Sequence, residues 1–146
     1  MKTVVLATLA FAVFRAAPSA ALTLALAVQG SRRPDPLGDV LVAVYLAALS
    51  AGLSTLGFLV TTALSATWRG FAPRRAAIIA GGLGLLAPIM SLVVTALIAR
   101  ALLPLFRSAP WLAIAFFNGL PGVALGLIAL AIARAWRPRP AAVISR

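Results

Sequence analysis

The chain has 146 residues, of which 63% are apolar and 10% charged, whereas soluble domains average about 45–50% apolar and about 25% charged residues. This composition excludes a soluble globular domain. The net charge of +11 does not indicate nucleic-acid binding, because the basic residues stand in short breaks between apolar runs and form no solvated basic face. We therefore expect a membrane protein with no nucleic-acid partner.

The residue types on which most catalytic and metal sites depend are absent or scarce. The sequence has no Cys and no His, and its only acids are Asp35 and Asp39. It therefore lacks the usual ligands for zinc, haem and iron–sulfur centres, and two loop carboxylates leave little from which to build a general base. The sequence predicts no metal, no cofactor and no enzymatic activity, and a lipid-modifying enzyme is the least favoured function.

Four apolar segments follow one another along the chain, each longer than the roughly 20 residues that a spanning helix needs. They cover residues 3–28, 40–67, 76–103 and 111–136, and a charged tail covers residues 137–146. Each break combines charge with proline or glycine, which favours turns. Because the linkers are short, we expect a single domain and an all-α membrane fold, a four-transmembrane-helix antiparallel bundle with short loops.

The first segment carries a small-residue run at residues 17–21 that resembles the cleavage site of a signal peptide. Arg15 interrupts the apolar sequence just before this run, and apolar residues continue as far as Val28. We therefore interpret the segment as a retained spanning helix or signal anchor.

The distribution of basic residues predicts an orientation in the membrane. One side of the predicted bundle has eight basic residues, namely Lys2, Arg69, Arg74, Arg75, Arg134, Arg137, Arg139 and Arg146, and the other has four, namely Arg32, Arg33, Arg100 and Arg107. This excess predicts that both termini are cytoplasmic. The excess of Arg over Lys and the abundant Ala suggest a GC-rich bacterial genome, and hence the bacterial cytoplasmic (inner) membrane. Trp68, Trp111 and Trp136 fall at predicted helix ends, where the ring prefers the headgroup level.

Glycines at helical spacing predict where the helices pack. Helices in a bilayer associate through close packing and polar contacts, so small residues at repeating positions mark contact faces. All four segments have such a face, and the third and fourth carry the glycine-rich ones. The glycines predicted to pack are Gly81, Gly84, Gly119, Gly122 and Gly126.

Prolines lie inside three of the four segments, at Pro18, Pro88 and Pro121. Each removes a backbone donor and releases the carbonyl four residues earlier. The favoured interpretation is three kinks that shape the bundle. The alternative is that these helix breaks surround a cavity or a pathway.

Arg15 is the most informative residue, because it lies about midway along the first segment, where a charge costs about 2.5–3.5 kcal/mol on insertion scales. We expect it to face a partner and not open lipid. Three alternatives are snorkelling with local thinning of the bilayer, pairing with an acid of another subunit or a bound lipid, and an anion pathway. Within the chain, the candidate partners are the Phe14 carbonyl, Ser or Thr hydroxyls, and Asn118.

The stretch at residues 116–122 is the second candidate, because it combines Asn118 with two glycines and a proline and is the least helix-favouring part of any segment. We favour a kinked helix with Asn118 bonded to a neighbour over a broken helix that exposes backbone groups to a substrate. A third candidate is the basic cluster of Arg69, Arg74 and Arg75, which we expect to contact anionic lipid headgroups on the cytoplasmic side.

These features predict a non-catalytic multi-pass subunit that packs against other integral membrane subunits and stabilises a larger energy-converting, transport or secretion complex. The alternative is a small homo-oligomeric transporter or channel for an anion or small solute. In that case Arg15, Asn118 and the proline breaks would line the route.

Overall fold

The computed structural model describes residues 1–30, 36–102 and 110–136. They form four helices, α1 (Lys2–Gly30), α2 (Pro36–Leu64), α3 (Pro73–Leu102) and α4 (Pro110–Ala135), with no strand in these ranges. All four helices are long and apolar enough to cross a membrane. The predicted all-α four-helix fold is confirmed, and each helix bound lies within four residues of its predicted position. The predicted tail at 137–146 and the loop charges Arg32, Arg33, Asp35 and Arg107 lie outside the described residues.

Proline marks the beginning of three helices, at Pro36, Pro73 and Pro110. The first residue of a helix needs no N–H donor, and the fixed φ of proline suits that position. The turn between α2 and α3 contains Ala66 at φ 48° and Gly70 at φ 82°. These left-handed residues end α2 and reverse the chain within residues 65–72.

The helices form a ring in the order α1, α2, α4, α3. In the described part of the chain, α1 packs against α2 and α3, and α4 packs against α2 and, less extensively, against α3. Consecutive helices are antiparallel, so the neighbouring pairs α1/α3 and α2/α4 are parallel. The expectation that short linkers make consecutive helices neighbours is correct for α1/α2 and α3/α4 and wrong for α2/α3. These two helices lie diagonally opposite because the turn between them crosses the end of the bundle.

An aromatic stack fills the end of the bundle where α1 and α3 begin. The rings of Phe11 and Phe58 are parallel with centroids 4.0 Å apart, and Trp68 packs against Phe58 at 6.4 Å and Phe71 at 6.2 Å. Buried alanines surround the stack, namely Ala7, Ala76, Ala80, Ala87 and Ala129.

Trp68 and Trp136, both at predicted helix ends, differ in their exposure. Trp68 is only 3% exposed, because the turn after α2 folds its ring into the core beside Phe58. Trp136, at the end of α4, is 68% exposed, and the placement of the tryptophans at the headgroup level stays a prediction. The side chain of Trp111 lies outside the described residues.

Candidate functional site

Arg15 lies inside the bundle and is only 3% exposed. Its Nη1 donates a hydrogen bond to Ser19 Oγ on the next turn of α1. Its Nη2 donates to Ser50 Oγ of α2 at 2.9 Å and to Ser91 Oγ of α3 at 3.3 Å. We call Arg15 and these three serines the Arg15 cluster. Serine hydroxyls from three helices thus accept hydrogen bonds from one guanidinium group.

Two of the hydroxyls are oriented by bonds to their own helices. Ser19 Oγ donates to the Arg15 carbonyl at 2.9 Å, and Ser91 Oγ donates to the Ala87 carbonyl at 2.9 Å. Each carbonyl lies one turn earlier, which is a common local bond for serine in a helix. Because each proton is already donated, the oxygen lone pairs are left to accept from the guanidinium group.

The Arg15 cluster joins helices across the centre of the ring. Ser50 and Ser91 belong to α2 and α3, which lie diagonally opposite and share almost no other contact among the described residues. A hydrogen bond between membrane helices contributes about 0.6 kcal/mol on average. The cluster therefore stabilises the relative position of three helices, and its individual bonds are weak.

The hydroxyls satisfy donors of Arg15 but do not neutralise its charge. Its Nε has no hydrogen-bond partner, and no side chain that the structure describes is a carboxylate. Asp35 lies outside the described residues, and the backbone of Asp39 is eleven residues before Ser50 on α2, or about 16 Å of helix. Within the described part of the chain, the charge is therefore stabilised only by neutral dipoles.

This arrangement selects among the partners that the sequence left open for Arg15. Serine hydroxyls were one of those alternatives, and three of them bind the guanidinium group. Snorkelling does not fit a side chain that is 3% exposed and points into the bundle. The sequence singled out none of the three serines individually for this contact, although Ser19, Ser50 and Ser91 all belong to small-residue faces.

The second candidate stretch, residues 116–122, forms a contact between helices. α4 runs without interruption from Pro110 to Ala135, so the structure has no broken helix here. Ser54 Oγ of α2 donates to the backbone carbonyl of Asn118 at 2.9 Å. Pro121 is fully buried, and a Cβ at Gly122 would overlap the Ser54 carbonyl oxygen.

Three of the predicted packing glycines, Gly84, Gly122 and Gly126, leave no room for a side chain, and Gly81 leaves little. On α3, a Cβ at Gly84 would lie 2.6 Å from the Phe11 carbonyl oxygen, and one at Gly81 would lie 3.0 Å from the Phe14 ring. On α4, Gly122 contacts Ser54, and a Cβ at Gly126 would lie 2.7 Å from Thr61 Cβ. Gly119 is less restricted, since its nearest atom would be the Leu53 carbonyl oxygen at 4.0 Å. The two glycine faces therefore pack against α1 and α2 respectively, and not against each other.

The prolines and the basic cluster occupy different parts of the molecule. Pro18 and Pro88 are half-buried within continuous helices, and none of the three prolines lines the groove on the outer surface between α1 and α3. Arg69, Arg74 and Arg75 are exposed at the end of the bundle where α1 begins. Their contact with lipid headgroups stays a prediction.

The four spanning helices define a multi-pass membrane protein. The sequence matches no protein-family model, and comparisons with curated proteins and with solved structures find no match either. Function is therefore inferred from the geometry of the bundle and from the Arg15 cluster.

Proposed function

We propose that this protein is a non-catalytic multi-pass subunit that packs against other integral membrane proteins and stabilises a larger complex. The observation that carries the proposal is that the Arg15 cluster bonds inward and holds three helices together. Ser54, Thr61 and Thr62 likewise bond to backbone carbonyls of α2 or α4. Because these polar groups bond to one another and to backbone carbonyls, they stabilise one arrangement of the helices and do not line an open route through the bundle.

The outer surface supports the same function. Nearly all described residues belong to the four helices and the α2–α3 turn, so the surface available to other proteins lies within the bilayer and at the two ends. The outward face of α2 is made of large apolar side chains, including Val44, Tyr45 and Leu56, which are 55%, 66% and 56% exposed. In a bilayer such a face contacts lipid or another membrane helix.

The proposed location is the bacterial cytoplasmic membrane, with both termini in the cytoplasm. The exposed cations Lys2, Arg69, Arg74, Arg75 and Arg134 all lie at the end of the bundle where α1 begins and α4 ends. Positive charge is enriched on the cytoplasmic side of membrane proteins. Cysteine labelling at each end tests the orientation directly, since the chain has no native cysteine.

Purification combined with photo-crosslinking tests the proposed subunit function. A tagged chain extracted in mild detergent should carry partner chains in fixed stoichiometry. A photo-crosslinking residue at exposed Tyr45 or Leu56 should capture the same partner in intact membranes, and one at buried Ala51 should not. Recovery of a lone monomer or homo-oligomer, without a crosslinked partner at either exposed position, contradicts the proposal.

The second candidate function is a small homo-oligomeric transporter for an anion or small solute. It is favoured by the charge of Arg15, which no described side chain compensates, and by its unbonded Nε, which retains a donor for an anion.

Chloride and formate flux into liposomes containing the full chain tests this second function. Flux that disappears in Arg15→Gln and persists in Arg74→Gln supports it, because the control removes the same charge at the exposed end of the bundle. Absence of flux, or flux unchanged in Arg15→Gln, removes Arg15 from any transport mechanism.

A further inference from the structure

A groove of about 840 Å³ runs along the outer surface between α1 and α3. Its walls are apolar side chains that are about half exposed, including Leu9 and Val13 of α1 and Ile78 and Leu85 of α3. Among the described residues that line it, Arg74, in the first turn of α3, is the only charged one. The groove therefore combines a long apolar trough with one cation at its end.

Two adjacent glycines form the floor of the groove. At Gly81, the ring of Phe14 occupies the space beside the backbone, and a Cβ would lie 3.0 Å from the ring. At Gly82, a Cβ would meet nothing within 4 Å. The groove remains open because the second glycine places no side chain between the walls.

The length of the groove matches one leaflet of a bilayer. Arg74 and Leu85 are eleven residues apart on α3, or about 16 Å of helix. The hydrocarbon core of a bilayer is about 30 Å thick, so one leaflet contributes about 15 Å. With Arg74 beside the turn at residues 65–72, the charged end lies at the membrane surface and the apolar end near the middle of the bilayer.

The lining of the groove favours a lipid over other occupants. Apolar side chains line its length, and a cation lies at its surface end. A lipid has the same arrangement, since its apolar acyl chain continues from a charged headgroup.

The charge at the surface end specifies the headgroup. Besides Arg74, the exposed cations at this end are Lys2, Arg69, Arg75 and Arg134, and no described side chain there is acidic. Guanidinium groups bind phosphate oxygens through charge-assisted hydrogen bonds. We propose that the groove between α1 and α3 binds an acyl chain of an anionic phospholipid whose phosphate contacts Arg74.

The test uses the full chain in lipid nanodiscs and phosphatidylglycerol with a photoreactive diazirine in one acyl chain. Labelling should concentrate on Val13, Ile78 and Leu85 and exceed labelling of Leu56 and Val60, which are exposed on α2. Phosphatidylcholine with the same acyl chains should label the groove about fivefold less, since one cation near the surface favours an anionic lipid by that factor. Uniform labelling of all exposed apolar positions overturns the proposal.

Two pairs of matched variants test separately how the open space of the groove and the charge of Arg74 contribute to lipid binding. Gly82→Leu fills the trough and should reduce groove labelling to the level of α2, whereas Gly52→Leu, at a glycine of α2 that is equally open, should leave it unchanged. Arg74→Gln should lower the preference for phosphatidylglycerol about fivefold, and Arg75→Gln, which does not line the groove, should lower it less. Equal effects within both pairs overturn the proposal, provided that Trp68 fluorescence reports a folded bundle in each variant.

The other possible occupants give distinct outcomes. Because the chain has no cysteine, Ile78→Cys places a single thiol in the groove wall. A disulfide-linked dimer of this variant in the membrane would show that a second copy covers the groove. A photo-crosslink from Ile78 to another protein would show that a partner subunit does. Either result overturns the lipid proposal.

Discussion

The two parallel helix pairs of the bundle are packed in different ways. In the α2/α4 pair, small residues face small residues, so that Gly57 meets the Gly119 carbonyl and Gly122 meets the backbone of Ser54. In the α1/α3 pair, Gly84 of α3 meets the backbone carbonyl of Phe11 on α1, and Gly81 meets the ring of Phe14. Both pairs bring two backbones together, and the α1/α3 pair adds a contact between the backbone at Gly81 and the Phe14 ring.

This difference explains where the bundle is closed and where it is open. Small residues on both sides let α2 and α4 approach closely, and such van der Waals packing is a main source of helix association in lipid. In the α1/α3 pair, the Phe14 ring occupies the space beside Gly81, and the groove lies beside Gly82, where a Cβ would meet nothing within 4 Å. The Arg15 cluster adds a polar contact between α1 and α3 through Ser91, and Ser54 Oγ adds one between α2 and α4 through the Asn118 carbonyl.

The largest expected loss of stability comes from adding a side chain at the α2/α4 contact. Gly122→Ala places a Cβ against the Ser54 carbonyl oxygen and should lower the free energy of unfolding by about 3 kcal/mol, at the top of the usual range for overpacking. Gly52→Ala, where nothing lies within 4 Å, should be neutral or stabilising by up to about 1 kcal/mol. Titration with SDS in mixed micelles measures both. Equal stability of the two variants would contradict the close approach of α2 and α4.

The next largest loss of stability is expected from removing the polar contacts that Arg15 of α1 makes. Arg15→Met removes three hydrogen bonds and should lower the free energy of unfolding within the membrane by about 2 kcal/mol. The same substitution should make insertion of α1 more favourable by about 2.5–3.5 kcal/mol, because no charge enters the bilayer. SDS titration measures the first quantity, and glycosylation mapping of α1 in microsomes measures the second.

Arg15→Lys is the control for the Arg15→Met variant. It keeps the charge but lacks the planar fork that reaches several hydroxyls at once. Insertion should therefore not improve, while the bundle should still lose stability. An Arg15→Met bundle that is as stable as the parent would show that the serine contacts contribute nothing.

A smaller effect is expected at the aromatic stack that joins α1, α2 and the turn. Phe58→Leu removes a ring that lies 4.0 Å from Phe11 and should cost about 1 kcal/mol, the range measured for aromatic pairs. It should also shift Trp68 emission in a Trp111→Phe, Trp136→Phe background, since Trp68 packs on Phe58. Phe116→Leu, at an exposed ring on α4, is the control and should leave that emission unchanged.

The smallest effects distinguish the hydroxyls within the Arg15 cluster. Ser50→Ala should lower the free energy of unfolding by about 0.6 kcal/mol, the average for a hydrogen bond between membrane helices. Ser91→Ala should cost less, because its bond to Arg15 is 3.3 Å long and that of Ser50 is 2.9 Å. Both are measured against Thr95→Ala, at an exposed position on α3. The reverse order would indicate that α3 holds the guanidinium group more strongly than α2.

The spanning segments could be predicted from the sequence because the bilayer imposes one requirement on each of them. A run of apolar residues bounded by charge, proline and glycine defines a spanning helix with little help from its neighbours. Gly84, Gly122 and Gly126 could be predicted as contact residues for a similar reason, since small residues at helical spacing are what close packing requires.

The arrangement of the helices could not be predicted in the same way. Which helix faces a given glycine depends on the order of the ring, and the eight residues of the α2–α3 turn allow either adjacent or diagonal placement. The burial of Trp68 follows from that turn and not from its position at a helix end. The hydrogen bonds from Arg15 to Ser19, Ser50 and Ser91 also depend on the order of the helices in the ring, because the three serines lie far apart in the sequence.

The diagonal turn at residues 65–72 also affects how the chain assembles. Since α2 and α3 share almost no interface, the chain consists of two antiparallel hairpins, α1/α2 and α3/α4, that dock side by side. Membrane helices can insert first and associate afterwards, so each hairpin can enter the bilayer as it leaves the ribosome and the second can then dock on the first. Two co-expressed fragments divided at Gly70 would retain every helix contact described above. The short link between the hairpins raises their local concentration and contributes little packing of its own beyond Trp68 and Phe71.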